Sequence, residues 1–250
     1  MSHIHIPDGV LPFWIVAAGW VLTVVLMMLA ARSVSGRDLT DKLPLLGVMS
    51  ATMIVLMMLE IVPIAYHVNL SVITGIILGP ALGFIAAFIV NVILALVGHG
   101  GVTVIGLNTL VVGTETVVGY YLFHAATRAL GNRLGIGLIA ALVTLVTLLT
   151  SSAVMIGIVG ISNVNPAEQA PLGAIVEPEA LSFRNPFGGQ ILVFELFPRA
   201  EQRPTTVDLA TFARLVLFLG MFGWTLEAVL TGLIARYLQQ VRPDLLAAKG

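Results

Sequence analysis

The run Val68-Asn69-Leu70-Ser71-Val72-Ile73-Thr74-Gly75-Ile76-Ile77-Leu78, followed at once by Gly79-Pro80, decides how many times this chain crosses a membrane. Its residues are apolar enough for a transmembrane helix, but at ~1.5 Å per residue they reach only ~17 Å. A crossing ordinarily takes ~20 residues. Six longer apolar runs surround it: Pro12 to Ala31, Pro44 to Val62, Ala81 to Val97, Gly106 to Ala126, Leu134 to Ile161 and Leu209 to Tyr237. The count is therefore six or seven, and hydropathy alone does not choose.

Positive charge chooses, because Lys and Arg gather in short cytoplasmic loops. Arg32, Arg37 and Lys42 follow the first run, Arg128 and Arg133 the fifth of the seven segments, and Arg236, Arg242 and Lys249 the last. Placing all three groups inside requires an even number of crossings between Lys42 and Arg128, so the short segment counts as one of four. Only Arg184, Arg199, Arg203 and Arg214 lie in or beside the outer segment that results. The expected fold is an all-α integral membrane protein of about seven helices, multi-pass in the cell membrane, with the N-terminus outside and the C-terminus cytoplasmic.

Composition agrees. Of 250 residues 58% are hydrophobic and 10% charged, and the mean hydropathy is +1.03, beyond what a water-soluble core of this size needs. Residues 1–250 form one membrane domain, with no internal repeat and no soluble domain. A formal net charge of −1 without a basic run excludes nucleic acid as a partner. There is no cysteine, so any metal must be held by nitrogen and oxygen, which disfavours copper(I) and suits nickel, cobalt or zinc.

Five histidines then become informative. His3, His5, His67 and His99 fall on the outer side of this topology, and only His124 falls at the inner end. The opening Met1-Ser2-His3-Ile4-His5-Ile6-Pro7-Asp8-Gly9 lacks the positive start of a signal peptide. In extended backbone His3 and His5 point to one side, ~7 Å apart, near enough to share an ion. Loop histidines at an interface are also common for no metal-related reason. The outer segment 162–206 is too polar and too rich in proline to cross, and Gln190 to Phe197 within it reads as a short strand of an ordered cap.

Three acids lie inside apolar runs: Glu60 near an outer end, Glu115 in mid-span and Glu227 in the inner half of the last helix. Such groups pair with a neighbour or meet a partner subunit. Gly79-Pro80 reads as a tight inner turn and Gly98-His99-Gly100-Gly101 as an outer one, with Thr103 and Asn108 close behind. Ala17, Ala18, Gly19, Gly75, Gly79 and Gly232 allow another helix to approach. No His-Glu-x-x-His, Gly-x-Ser-x-Gly or P-loop motif occurs, so neither zinc hydrolysis nor nucleotide-driven transport by this chain alone is expected.

In four ordered blocks the sequence resembles the CbiM/NikM substrate-binding membrane components of cobalt and nickel energy-coupling-factor transporters. These are His5-Ile6-Pro7-Asp8-Gly9-Val10-Leu11-Pro12; His67 thirteen residues before Pro80; Gly100-Gly101-Val102-Thr103-Val104-Ile105-Gly106-Leu107-Asn108; and Glu227 to Gly232 leading to Val241-Arg242-Pro243-Asp244. The resemblance implies that residues 1–11 fold back into the bundle as a metal-binding segment. It further implies a nitrogen-rich site of terminal amine, backbone amide and two imidazoles, carried over onto His5 and His67. It implies a transported cobalt(II) or nickel(II) ion with zinc less suited, no resident cofactor, and no enzymatic activity in this chain. The implied partners are a transmembrane coupling subunit, cytoplasmic ATP-binding cassette ATPases and a small additional membrane subunit.

Two departures bear on the site. The family histidine directly follows the initiator methionine, whereas His5 follows four residues. Unless processing removes Met1 to His3, the amine of Met1 chelates instead with His3, or His3, His5 and His67 form a three-imidazole site. Around the second ligand, Tyr66-His67-Val68 replaces a small, glycine-flanked setting, and His99 stands where an acidic or polar residue is usual, as an added ligand or a positioning partner. A stand-alone secondary carrier or channel for divalent ions is the alternative function.

Overall fold

The computed structural model describes residues 11–34, 36–59, 67–131, 133–162 and 209–247. Within them every regular element is helical: α1 Phe13–Ser33, α2 Gly36–Met58, α3 Ser71–Leu78, α4 Pro80–Leu96, α5 Ile105–Leu130, α6 Ile136–Ile161, α7 Leu209–Val241, and a closing 3-10 turn Pro243–Leu246. All seven expected segments are helices, and the two turns fall where glycine and proline place them. Gly79 takes φ +89° between α3 and α4, a conformation that a side chain disfavours, and Pro80 opens α4 where its missing N–H costs nothing.

Four of these helices, α1, Thr40–Met58 within α2, α6 and Val216–Val241 within α7, are long and apolar enough to cross a membrane, and α4 is a shorter apolar helix. Their outward faces are apolar as well: Val21, Leu22 and Leu29 on α1, and Phe218, Phe222 and Leu233 on α7, are exposed. Apolar surface on both the inner and the outer side of a helix fits lipid, not water, as the surrounding solvent.

Two helix starts differ by more than two residues from expectation. The helix expected from Pro44 begins at Gly36, with Pro44 inside it. Proline more than two turns into a helix removes one backbone hydrogen bond and crowds the carbonyl four residues back, a local cost that does not end this helix. The short segment, expected from Val68, becomes helical only at Ser71. Its first residues are held otherwise: Leu70 is left-handed at φ 55°, and the Asn69 Oδ1 accepts the Ser71 N–H at 2.7 Å, satisfying a donor at the helix start.

The bundle has two ends. At one, Leu11 and Ile15 pack on Val104 and Leu107, with Ile158 alongside. At the other, the Lys42 ammonium donates to the Leu78 carbonyl at 2.6 Å, closing the free C-terminus of α3. Here too Leu246 joins the core beside Leu134 and Ile136. Arg242 forms a two-pronged pair with Asp244, which raises the guanidinium pKa above its ordinary value.

Close backbone approaches hold the helices. Gly106 of α5 lies against the Trp20 backbone of α1, where a Cβ would come to 2.9 Å. Beside it the Thr23 hydroxyl donates to the Gly106 carbonyl at 2.7 Å, and the Trp20 indole N–H donates to the Thr103 carbonyl at 2.6 Å. Gly137 and Gly232 join α6 to α7 in the same way, each facing the other's carbonyl. The small residues at 19, 75 and 232 thus serve packing within the chain. Glu227, fully buried on α7, is likewise interior and not available to a partner subunit.

Candidate metal site

The site begins with a turn that only its glycines permit. α4 ends at Leu96, and the chain reverses through Gly98 at φ 81° and Gly100 at φ 108° before α5 starts at Ile105. The His99 N–H bonds the Leu94 carbonyl at 2.8 Å, which holds this residue over the end of α4. His67, on the non-helical stretch before α3, arrives at the same place. The two rings stand 5.1 Å apart between centroids and nearly perpendicular, at 81°.

That separation suits an edge-to-face aromatic contact. It is also within reach of one ion bound by both rings at about 2.0–2.1 Å from nitrogen. Both histidines are partly exposed. Among the described residues no group of three or more His, Cys, Asp or Glu gathers, so two imidazoles are what this region contributes. Leu11 is buried on Val104, five residues beyond His99, so Leu11 and this turn share one end of the bundle.

Met1, His3, His5 and Asp8 lie outside the described residues, as do Glu60 and the segment 163–208 with its expected strand. His124 is remote, as expected. It is buried on α5, its Nδ1 is 2.9 Å from the Tyr120 carbonyl and its ring lies 4.2 Å from that of Tyr120. Asn108 is buried in the first turn of α5, and Thr103 serves through its backbone carbonyl.

One cluster was not anticipated. Glu115, fully buried in α5, accepts hydrogen bonds from the Asn69 amide at 2.8 Å, from the Ser71 hydroxyl and from the Ser151 hydroxyl at 2.5 Å. Asn69 and Ser71 flank the left-handed Leu70, just beyond His67. The signal in the sequence was the mid-span acid itself, together with Asn69 and Ser71 as the polar residues of an otherwise apolar stretch.

The comparisons with known proteins agree with one another. Residues 5–245 match the family described as the CbiM cobalt uptake substrate-specific transmembrane region. A Haloquadratum walsbyi protein provisionally named for metal transport is 36% identical over 126 residues, covering 48% of this chain and 57% of that protein. A Haemophilus influenzae protein with the same provisional name is 31% identical over 147 residues, covering 56% and 68% respectively. Among solved structures, a truncated transition metal transporter superposes with a TM-score of 0.64 at 19% identity, over 95% of this chain and 99% of that one. A second transition metal transporter gives 0.63 at 21%, over 95% and 93%. The fold is therefore that of these transporters, and the chain, a multi-pass membrane protein, belongs to the CbiM family of substrate-specific metal-uptake components.

Proposed function

We propose that the chain captures divalent cobalt or nickel on the outer side of the membrane and passes it inward as the substrate-binding subunit of an energy-coupling-factor importer. The observation that carries this reading is the meeting of His67 and His99 at the end of the bundle where Leu11 packs. His67 with His5 or His3 and the Met1 amine supplies the nitrogen donors, and His99 adds a further imidazole or orients His67. Nitrogen donors without thiolate suit nickel(II) and cobalt(II).

A family of substrate-specific regions implies other subunits for the remaining work. No P-loop is present in the sequence, which leaves hydrolysis to ATPase partners and the link to them to a transmembrane coupling subunit. The test is equilibrium binding of Ni(II) and Co(II) to the purified chain with an intact native N-terminus. His67→Ala should abolish high-affinity binding, and single His3→Ala and His5→Ala variants should separate the two N-terminal arrangements. Unchanged affinity in His67→Ala would sink the site.

A further inference from the structure

We propose that Glu115 is a positioning residue of the metal site, acting on His67 through Asn69 and Ser71; this rests on the reading of His67 as a ligand. The Glu115 carboxylate takes the Asn69 amide and the Ser71 hydroxyl on one oxygen and the Ser151 hydroxyl of α6 on the other. Asn69, Ser71 and Glu115 are fully buried and Ser151 nearly so. Asn69 stands two residues beyond His67, so it fixes the chain at most ~7 Å along the backbone from the His67 Cα.

Capping does not explain this arrangement. The start of α3 needs only the bond from the Ser71 N–H to the Asn69 Oδ1, which involves no carboxylate. The two further donors, the Asn69 amide and the Ser71 hydroxyl, tie the segment to α5 and set where it stands relative to the rest of the bundle. Leu70, a non-glycine residue at φ 55°, is the corresponding mark on the backbone. Such a conformation persists where its surroundings over-determine it. Val68 and Leu70 are buried in the core on either side of Asn69, so the chain leading from His67 has its direction set by both packing and hydrogen bonds.

Substitutions separate geometry from charge. In Glu115→Gln the amide oxygen can keep the Asn69 and Ser71 donors while its NH2 donates to Ser151, whose hydroxyl already has the Leu148 carbonyl as a second acceptor at 3.1 Å. Glu115→Ala and Asn69→Ala break the tie. Ni(II) and Co(II) affinity of the purified full chain would be measured together with the ligand-field absorption of the bound ion. Because the partners that orient a ligand typically contribute 10–100-fold to metal affinity, Glu115→Ala and Asn69→Ala should weaken binding by roughly 10-fold or more, and Glu115→Gln by less than about threefold.

The absorption of Glu115→Ala and Asn69→Ala should shift as the imidazole moves, while that of Glu115→Gln stays at the wild-type position. Weaker binding with an unshifted spectrum means a general structural role and overturns the inference. So does wild-type affinity in both alanine variants while His67→Ala is inactive. His67→Ala with wild-type affinity removes the metal-site reading itself, and the inference with it. If Glu115→Ala does not fold, Asn69→Ala alone decides between these outcomes.

Discussion

At Gly75 the backbones of α3 and α5 meet so closely that an added Cβ would overlap the Thr116 carbonyl. Gly75→Ala should therefore lower stability by about 1–3 kcal/mol or more, because backbone on a packed helix cannot move aside as a side chain can. Gly47, with open space around it on α2, is the control: alanine there should be neutral or stabilising by up to ~1 kcal/mol. Thermal unfolding of the detergent-purified variants checks both. Such small residues were legible as points of helix approach, but not as contacts within this chain, since the pattern is the same for an intrachain and an intersubunit crossing. The Glu115 cluster was only half legible. An intramembrane acid announces that a partner exists, while its three donors come from positions 36 to 46 residues away and are fixed by the tertiary fold.

Helix by helix, the start of α3 is where apolar content says least. Hydropathy scores Val68 and Leu70 as it scores Ile76 and Ile77, so no apolar scale marks Ser71 as the first helical residue; the Asn69 side chain does, by bonding Ser71. The other end of α3 is held by Lys42. Lys42→Met should lower the unfolding temperature by a few degrees, consistent with the ~1.5–3 kcal/mol of a charge-assisted hydrogen bond reduced by its partial exposure. An unchanged midpoint would mean that the Leu78 carbonyl finds another donor. Between α1 and α5, Thr23→Val keeps the shape of the side chain and removes its bond to Gly106. A loss of about 1 kcal/mol is expected, read by the same unfolding measurement.

For the whole molecule, the seven helical segments were readable because apolar runs broken by glycine, proline and arginine are long-range features of the sequence. Sidedness rests on positive charge alone and has a direct test, since the chain lacks cysteine. A single Val97→Cys should react with a membrane-impermeant maleimide in intact cells, and Gly135→Cys only after permeabilisation; the reverse pattern inverts the topology. Vesicles containing the chain alone should accumulate no Ni(II) or Co(II), and uptake without ATPase subunits would favour a self-sufficient carrier. The brevity of α3 also has an electrostatic consequence. A helix that starts at Ser71 turns its N-terminal end, worth about +0.5 elementary charge, toward the stretch that carries His67. Left uncompensated, that half-helix would repel an arriving divalent cation. Glu115 accepts a hydrogen bond from the first residue of α3, so an acceptor oxygen stands against that positive end, and the amide oxygen of Glu115→Gln would supply one as well. The short helix and the acceptor oxygens at its start thus form one electrical unit, in which the positive end of α3 is offset on the side where His67 stands.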